Sequence, residues 1–203
     1  MTDPTNIDHP GYWSDRYRTG RAGWDLGTPT PVFGELLRTA HFRPGRLLLP
    51  GCGTGHDAVA FARAGFTVTG VDFAPEPLAE ARALAVRHQV KVEFLQADFF
   101  SMGHTYARAF DYVVEYVTYC AIDPSRRPEY AGTVSLLLKP GGLFIALFFP
   151  VESRPDGPPF GVDLDEVERL LLPSFRLLSR EMHPATIAPR RGREVLTVWE
   201  RTR

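Results

Sequence analysis

Apolar residues in this chain come in short solid runs separated by stretches of helical spacing. Leu47–Leu49 and Leu143–Phe149 are the solid runs, the pattern of strands buried in a parallel sheet, and Phe66–Val71 and Phe110–Tyr116 read as two further strands. Val90–Gln96 alternates and predicts one more strand. Between them, Asp57–Ala64 carries Val59, Ala60 and Phe61 and ends at Gly65, a helix terminator. Pro75 and Pro77 open a helix running to about His88, with Leu78, Ala81 and Ala85 inward. Residues 101–109 read as loop, Ser125–Leu138 as helix, and Lys139-Pro140-Gly141-Gly142 as a turn. Upstream, Trp13 and Tyr17 are four apart and share a helix face. Pro31–Thr39 predicts a short helix capped by Thr28 or Thr30, with Phe33, Leu36 and Leu37 as its stripe. Downstream, Asp163 or Asp165 caps a helix through Leu172, and Phe175–Met182 with Glu194–Arg201 reads as a terminal antiparallel pair.

The organising stretch is 47–72. Leu47–Pro50 leads into Gly51-Cys52-Gly53-Thr54-Gly55-His56-Asp57, then helix, then a strand ending in Gly70-Val71-Asp72. Glycines let the backbone turn tightly and approach a ligand closely, and the helix that follows turns its free N–H groups and dipole toward that ligand. Asp72, 19 residues beyond Gly53, supplies a carboxylate suited to a ribose diol. A dinucleotide fingerprint needs glycine where His56 stands; the spacing present, G-x-G-x-G, is that of S-adenosylmethionine-dependent methyltransferases. The whole alternation predicts an α/β fold, a single Rossmann-like doubly wound sheet of about seven strands with the last antiparallel and an N-terminal helical lid. One domain is expected over 1–203, with the lid in 1–40 and the core in 45–203. Residues 1–9 are polar and expected to be disordered.

Composition narrows the picture. A chain of 203 residues with 44% hydrophobic residues is ordinary for one globular domain. The 23 basic residues are matched by 24 acidic ones, for a net charge of −1, so no nucleic-acid partner is expected. Arg191, Arg193 and their neighbours form a local basic cluster, read as a solvated face. No 18-residue apolar run and no signal-like start appear, so neither a membrane partner nor secretion is expected. Cys52 and Cys120 make no disulfide framework, which fits a cytoplasmic location. The histidines, His56, His88, His104 and His183 among them, lack metal-ligand spacing, so no metal is expected. A monomer is the default.

Several segments together resemble the thiopurine S-methyltransferase superfamily, and within it the plant-type thiol and halide methyltransferases. They are Trp13-x3-Tyr17-x6-Trp24-Asp25-x-Gly27-x-Pro29-x-Pro31, Leu48–Asp57 with its unusual Pro50, Gly70-Val71-Asp72, Asp98-Phe99-Phe100, Phe110-Asp111-x3-Glu115-Tyr116-x2-Tyr119-Cys120-Ala121-Ile122, Leu138–Gly142 and Gly157-Pro158-Pro159-Phe160. The likeness implies S-adenosylmethionine as cofactor, contacted by Trp13, Tyr17, Trp24, Gly51, Gly53, Gly55, Asp72, Phe73, Asp98, Phe99, Glu115 and Tyr116. In that reading Asp72 holds the ribose hydroxyls, while Asp98 and the Phe99 amide read the adenine. Leu49 stands where many methyltransferases have an acid, so the methionine amino group needs backbone carbonyls such as those of Gly51 and Glu115. Tyr17, Glu115 and Phe149 replace a tryptophan, an aspartate and a tyrosine that relatives tend to carry.

The implied reaction is methyl transfer to a small-molecule acceptor: a thiol, hydrosulfide or halide. Phe33, Tyr119, Phe149 and Phe160 would form the substrate pocket, and Tyr116 and Tyr119 are the candidate catalytic pair, as hydrogen-bond donors to an anion. Some thiolate exists at neutral pH without a dedicated base, since a free thiol titrates near ~8.5. Two other readings stand beside this one. The first is an O- or N-methyltransferase of a larger metabolite, with Glu115 as general base. The second is a non-catalytic cofactor-binding module.

Overall fold

The computed structural model describes residues 6–39, 42–154 and 156–202. Residues 1–5 of the stretch expected to be disordered, and Ala40 at the end of the lid segment, lie outside them. The elements in chain order are α1 (Pro10–Arg18), α2 (Pro31–Arg38), β1 (Arg46–Pro50), α3 (His56–Arg63), β2 (Thr67–Asp72), α4 (Pro75–Arg87), β3 (Val92–Gln96), α5 (Gly103–Tyr106), β4 (Phe110–Tyr116), α6 (Arg127–Leu137), β5 (Leu138–Phe148), α7 (Leu164–Leu171), β6 (Phe175–Glu181) and β7 (Val195–Arg201). The chain divides into two compact units, 1–99 and 100–203, with strand order β3-β2-β1 in the first and β4-β5-β7-β6 in the second.

In the first unit β1, β2 and β3 are parallel, with Leu48 opposite Thr69 and Asp72 opposite Gln96. Leu47, Leu48, Val68 and Val71 are buried along with Phe61 and Leu78 from α3 and α4, which is why β1 reads as a solid apolar run. β3 starts two residues later than its alternation suggested, because Val90 still belongs to the exit from α4. Its amide bonds back to the Ala85 carbonyl while Gln89 takes a left-handed φ of 55°, the pattern of a helix C-terminus.

In the second unit β4 and β5 are parallel, with Glu115 opposite Ala146. β7 runs antiparallel between β5 and β6, pairing Phe144 with Trp199 on one side and Arg176 with Glu200 on the other. Tyr130, Leu137, Phe144, Phe148 and Trp199 fill the core here, each such burial being worth roughly 1.5–3 kcal/mol.

Two expectations need correction. The 101–109 segment is not all loop: a 3-10 turn at Phe99–Ser101 is followed by α5, and Gly103 packs so closely on α6 that an added Cβ would lie 2.5 Å from a Leu136 methyl. Lys139–Gly142 is not a chain-reversing turn either. β5 continues through it with a register break opposite Phe110–Tyr112, where Gly141 has φ 76°. A Cβ on Gly142 would sit 2.9 Å from the Lys139 carbonyl oxygen and 3.1 Å from that of Asp111, so the glycines permit a bulge inside the strand.

Candidate functional site

In the first unit the glycine loop leaves β1 with Gly51, Gly53 and Gly55 at φ of 55°, 51° and 80°, values that side chains with a Cβ resist. The glycines do different work. A Cβ on Gly53 would lie 3.1 Å from the Tyr17 hydroxyl, whereas one on Gly55 would lie 2.7 Å from the Cβ of Ala81 in α4. Gly53 keeps room in the loop beside the lid tyrosine; Gly55 lets α3 and α4 meet. Cys52 packs its sulfur on Gly70, where a Cβ would come within 2.9 Å, and burial holds its thiol well above its ordinary pKa. It is a packing residue.

Asp72 ends β2 with its carboxylate folded back on the loop. One oxygen accepts from the Gly53 amide and the other from the Ala74 amide, each at 2.9 Å. Burial pushes its pKa up to about 6, opposed by the amides of Ala74, Gly53 and Phe73. A carboxylate has about four lone-pair positions, so acceptor capacity is left for hydroxyl donors. The Ala97 amide bonds to the Asp72 carbonyl at 3.1 Å, which brings Asp98 and Phe99 to the carboxyl end of the neighbouring strand.

The N-terminal segment is stitched onto this loop. Trp13, Tyr17 and Trp24 meet edge to face, with Trp13–Trp24 centroids 5.5 Å apart and Tyr17–Trp24 centroids 5.6 Å apart. The Trp24 indole N–H donates to the Tyr17 hydroxyl at 3.1 Å, and burial raises the Tyr17 pKa far above its usual value. The Thr54 hydroxyl in the loop donates to Asp25 at 2.7 Å. Thr30 donates to the two oxygens of Asp57 through its amide at 2.7 Å and its hydroxyl at 2.8 Å, so its side chain does not cap α2. Burial lifts Asp57 to about 6, against the two Thr30 bonds. The pattern of apolar positions gave no hint of these pairs, since the partners are 27 to 29 residues apart. Phe33 is 1% exposed and packs on Phe61 of α3 at 5.9 Å.

The second unit holds the other candidates. Glu115, 1% exposed, accepts from the amides of Thr118 at 2.9 Å and Tyr119 at 2.7 Å on one oxygen, and from the Tyr130 hydroxyl at 2.5 Å on the other. Burial raises it to about 7, against those same donors. Its carboxylate is thus occupied inside its own unit, which leaves the main-chain carbonyl as its means of meeting a ligand. Tyr116 donates its proton to Glu194 at 2.8 Å and accepts from Arg190, so that proton is committed. Tyr119 is 4% exposed; its ring packs against Tyr130 and Phe148, and its buried hydroxyl makes no hydrogen bond among the described residues. Phe160 is tied in by its amide, which donates to the Cys120 carbonyl at 2.7 Å. The Cys120 thiol is pushed up to about 12 by burial and is no nucleophile.

Arg190 corrects the reading of the basic cluster as solvated. Arg191 is exposed, but Arg190 is 7% exposed, paired with buried Glu194 at 3.5 Å, and lies 4.5 Å over the Phe149 ring and 5.1 Å from that of Tyr116. Arg193 grips Glu152 with two bonds of 2.7 Å and also covers Phe149. The one clue in the sequence was the opposite charge four residues on from Arg190. Among the described residues no group of side chains could hold a metal, and no helix is long and apolar enough to cross a membrane.

A parallel sheet with a glycine loop after β1 and an acid at the end of β2 is a Rossmann-like, nucleotide-binding arrangement. A solved Burkholderia thailandensis 1,6-didemethyltoxoflavin-N1-methyltransferase, with bound S-adenosylhomocysteine, shares this fold at a TM-score of 0.75 and 22% identity, over 96% of this chain and 87% of that one. The thiopurine S-methyltransferase family matches residues 8–201, and the chain belongs to that family. It is an S-adenosylmethionine-dependent methyltransferase. Relatives include a probable thiol methyltransferase 2 and a thiocyanate methyltransferase 1, both of Arabidopsis thaliana. Each is 36% identical, over 95% and 94% of this chain respectively and 85% of the relative. A Bordetella petrii thiopurine S-methyltransferase is 31% identical over 78% of this chain and 80% of the relative.

Proposed function

We propose that the chain methylates a small soft nucleophile, namely a thiol, hydrosulfide or halide, by in-line displacement. The observation that carries this is Arg190, a buried cation walled by Phe149 and Tyr116. Its charge is balanced by buried Glu194, so the setting is aromatic-lined and close to neutral, which suits a soft polarisable nucleophile. The thiol and thiocyanate methyltransferase relatives support the same substrate class.

The cofactor, when bound, supplies a sulfonium methyl and leaves as a neutral thioether, so no acid is needed for the leaving group. The residues of the first unit fit it. Asp72 has lone pairs for a ribose diol, Asp98 and the Phe99 amide stand at the next strand end for the adenine, and the left-handed glycines Gly51, Gly53 and Gly55 leave room for a close backbone approach. Faces of Trp13, Tyr17 and Trp24 suit a cation by roughly 0.5–2 kcal/mol. Alignment of the acceptor and exclusion of water do the rest, worth roughly 7–11 kcal/mol when complete. Glu115, with its carboxylate spent on three donors, does not support the general-base reading of an O- or N-methyltransferase. The free thiols of Cys52 and Cys120 suit a reducing compartment such as the cytoplasm.

The test is product analysis after mixing the protein with S-adenosylmethionine and, separately, hydrosulfide, iodide, an aryl thiol, a catechol and an amine. Methanethiol, iodomethane or a methyl aryl sulfide is expected. Turnover of the catechol or amine alone would overturn the reading.

A further inference from the structure

The turn after β4 has an unusual construction. Val117 is β-branched yet sits at φ 56°, a left-handed conformation that such residues avoid and that persists only where the surroundings enforce it. The next two amides, of Thr118 and Tyr119, converge on one Glu115 oxygen at 2.9 and 2.7 Å. Successive amides around a left-handed residue make an anion-binding nest, and here the carboxylate of Glu115, two residues before Val117, fills it. The other Glu115 oxygen is anchored by the Tyr130 hydroxyl in α6. The turn then closes on itself: the Cys120 thiol donates to the Val117 carbonyl at 3.4 Å, and the Ala121 amide to the Thr118 carbonyl at 2.9 Å. The Phe160 amide hangs from the Cys120 carbonyl. Tyr116, Tyr119 and Phe160 therefore all take their directions from this one turn.

We propose that Glu115 is a positioning residue for the acceptor: by filling the nest of Thr118 and Tyr119 amides it holds Val117 left-handed and thereby aims Tyr116, Tyr119 and Phe160. This rests on the proposed function for the identity of the reaction and assigns Glu115 a role distinct from base or side-chain ligand of the cofactor. A glutamine can replace it, since its carbonyl oxygen accepts both amides while its amino group donates to the Tyr130 oxygen. An alanine leaves the nest empty.

The experiment uses the full chain and measures acceptor kcat and KM with hydrosulfide, the Kd of S-adenosylhomocysteine, and the amide proton shifts of Thr118 and Tyr119 in that complex. Glu115→Ala is expected to lower acceptor kcat/KM about tenfold or more, mostly through KM, with the Kd within about threefold. Glu115→Gln is expected to rescue the loss and keep the pH profile. Val117→Gly folds readily, because glycine accepts the positive φ; it is expected to raise acceptor KM by loosening the turn. In Glu115→Ala both amide protons move upfield whether or not any acceptor turns over, so a failure of the proposed function stays separate from a failure of this one. A loss of about a hundredfold in Glu115→Gln with a changed pH profile would make Glu115 a base. Equal losses of cofactor and acceptor affinity in Glu115→Ala would make it a cofactor ligand. Unmoved amides, or an acceptor KM unchanged in both Glu115→Ala and Val117→Gly, would also overturn the proposal.

Discussion

The proposed assignment of Asp72 to the cofactor ribose can be tested quantitatively. The Asp72 carboxyl is buried, titrates at about 6, and already accepts the Gly53 and Ala74 amides. A ribose diol donates to the ionised form, so binding requires the proton to leave. With a pKa of about 6 the ionised fraction falls from about nine-tenths at pH 7 to about one-tenth at pH 5. The Kd of S-adenosylhomocysteine should therefore rise about tenfold over that interval. Asp72→Asn is nearly isosteric but offers one acceptor oxygen where two are used. Losing a charge-assisted hydrogen bond of about 1.5–3 kcal/mol should weaken binding roughly ten- to hundredfold at pH 7 and flatten the pH dependence. Without ligand the linkage has the opposite sense. A carboxyl whose folded pKa is raised contributes stability that is complete below its unfolded value of about 3.8 and is lost as the pH rises through about 6. Urea unfolding of the ligand-free protein should show that slope, reduced in the variant. Isothermal titration at pH 5, 6, 7 and 8 decides the binding claim. A wild-type Kd that does not change with pH, or an Asp72→Asn Kd within about threefold of wild type at pH 7, would refute the assignment of Asp72 to the ribose.

Two stability predictions follow from the packing. Arg190→Leu leaves the Glu194 carboxylate buried without its cation and should destabilise the protein by about 3–5 kcal/mol, with the double variant Arg190→Leu/Glu194→Leu recovering more than half; a single-variant loss below about 1 kcal/mol in urea unfolding would mean that the pair is effectively solvated. Gly55→Ala forces both a φ of 80° and a Cβ 2.7 Å from Ala81 and should cost about 1–3 kcal/mol beyond Gly27→Ala. Gly27 has φ 64° and open space around it, so equal losses at the two positions would show that helix contact is not what Gly55 provides.

The sequence by itself determined the strands, most helices and the chemistry of the loop. Period and solid apolar runs report which faces are buried, and burial is local enough to read one residue at a time. Thus Phe110–Tyr116 was legible as β4 to the residue, and the glycine turn after β1 and the acid ending β2 were legible in their places. The tertiary structure decided what each polar group is bonded to, because a hydrogen bond needs a particular atom in a particular direction and its partner lies far along the chain. Asp57 meets Thr30 across 27 residues and Tyr116 meets Glu194 across 78. The same dependence occupies both Glu115 oxygens with donors, packs Phe33 on Phe61 and buries Arg190 beside an exposed Arg191. Lys139–Gly142 was legible as glycine-rich but not as a bulge, since only the neighbouring strand, with the Asp111 carbonyl 3.1 Å from where a Gly142 Cβ would be, fixes which of the two it becomes.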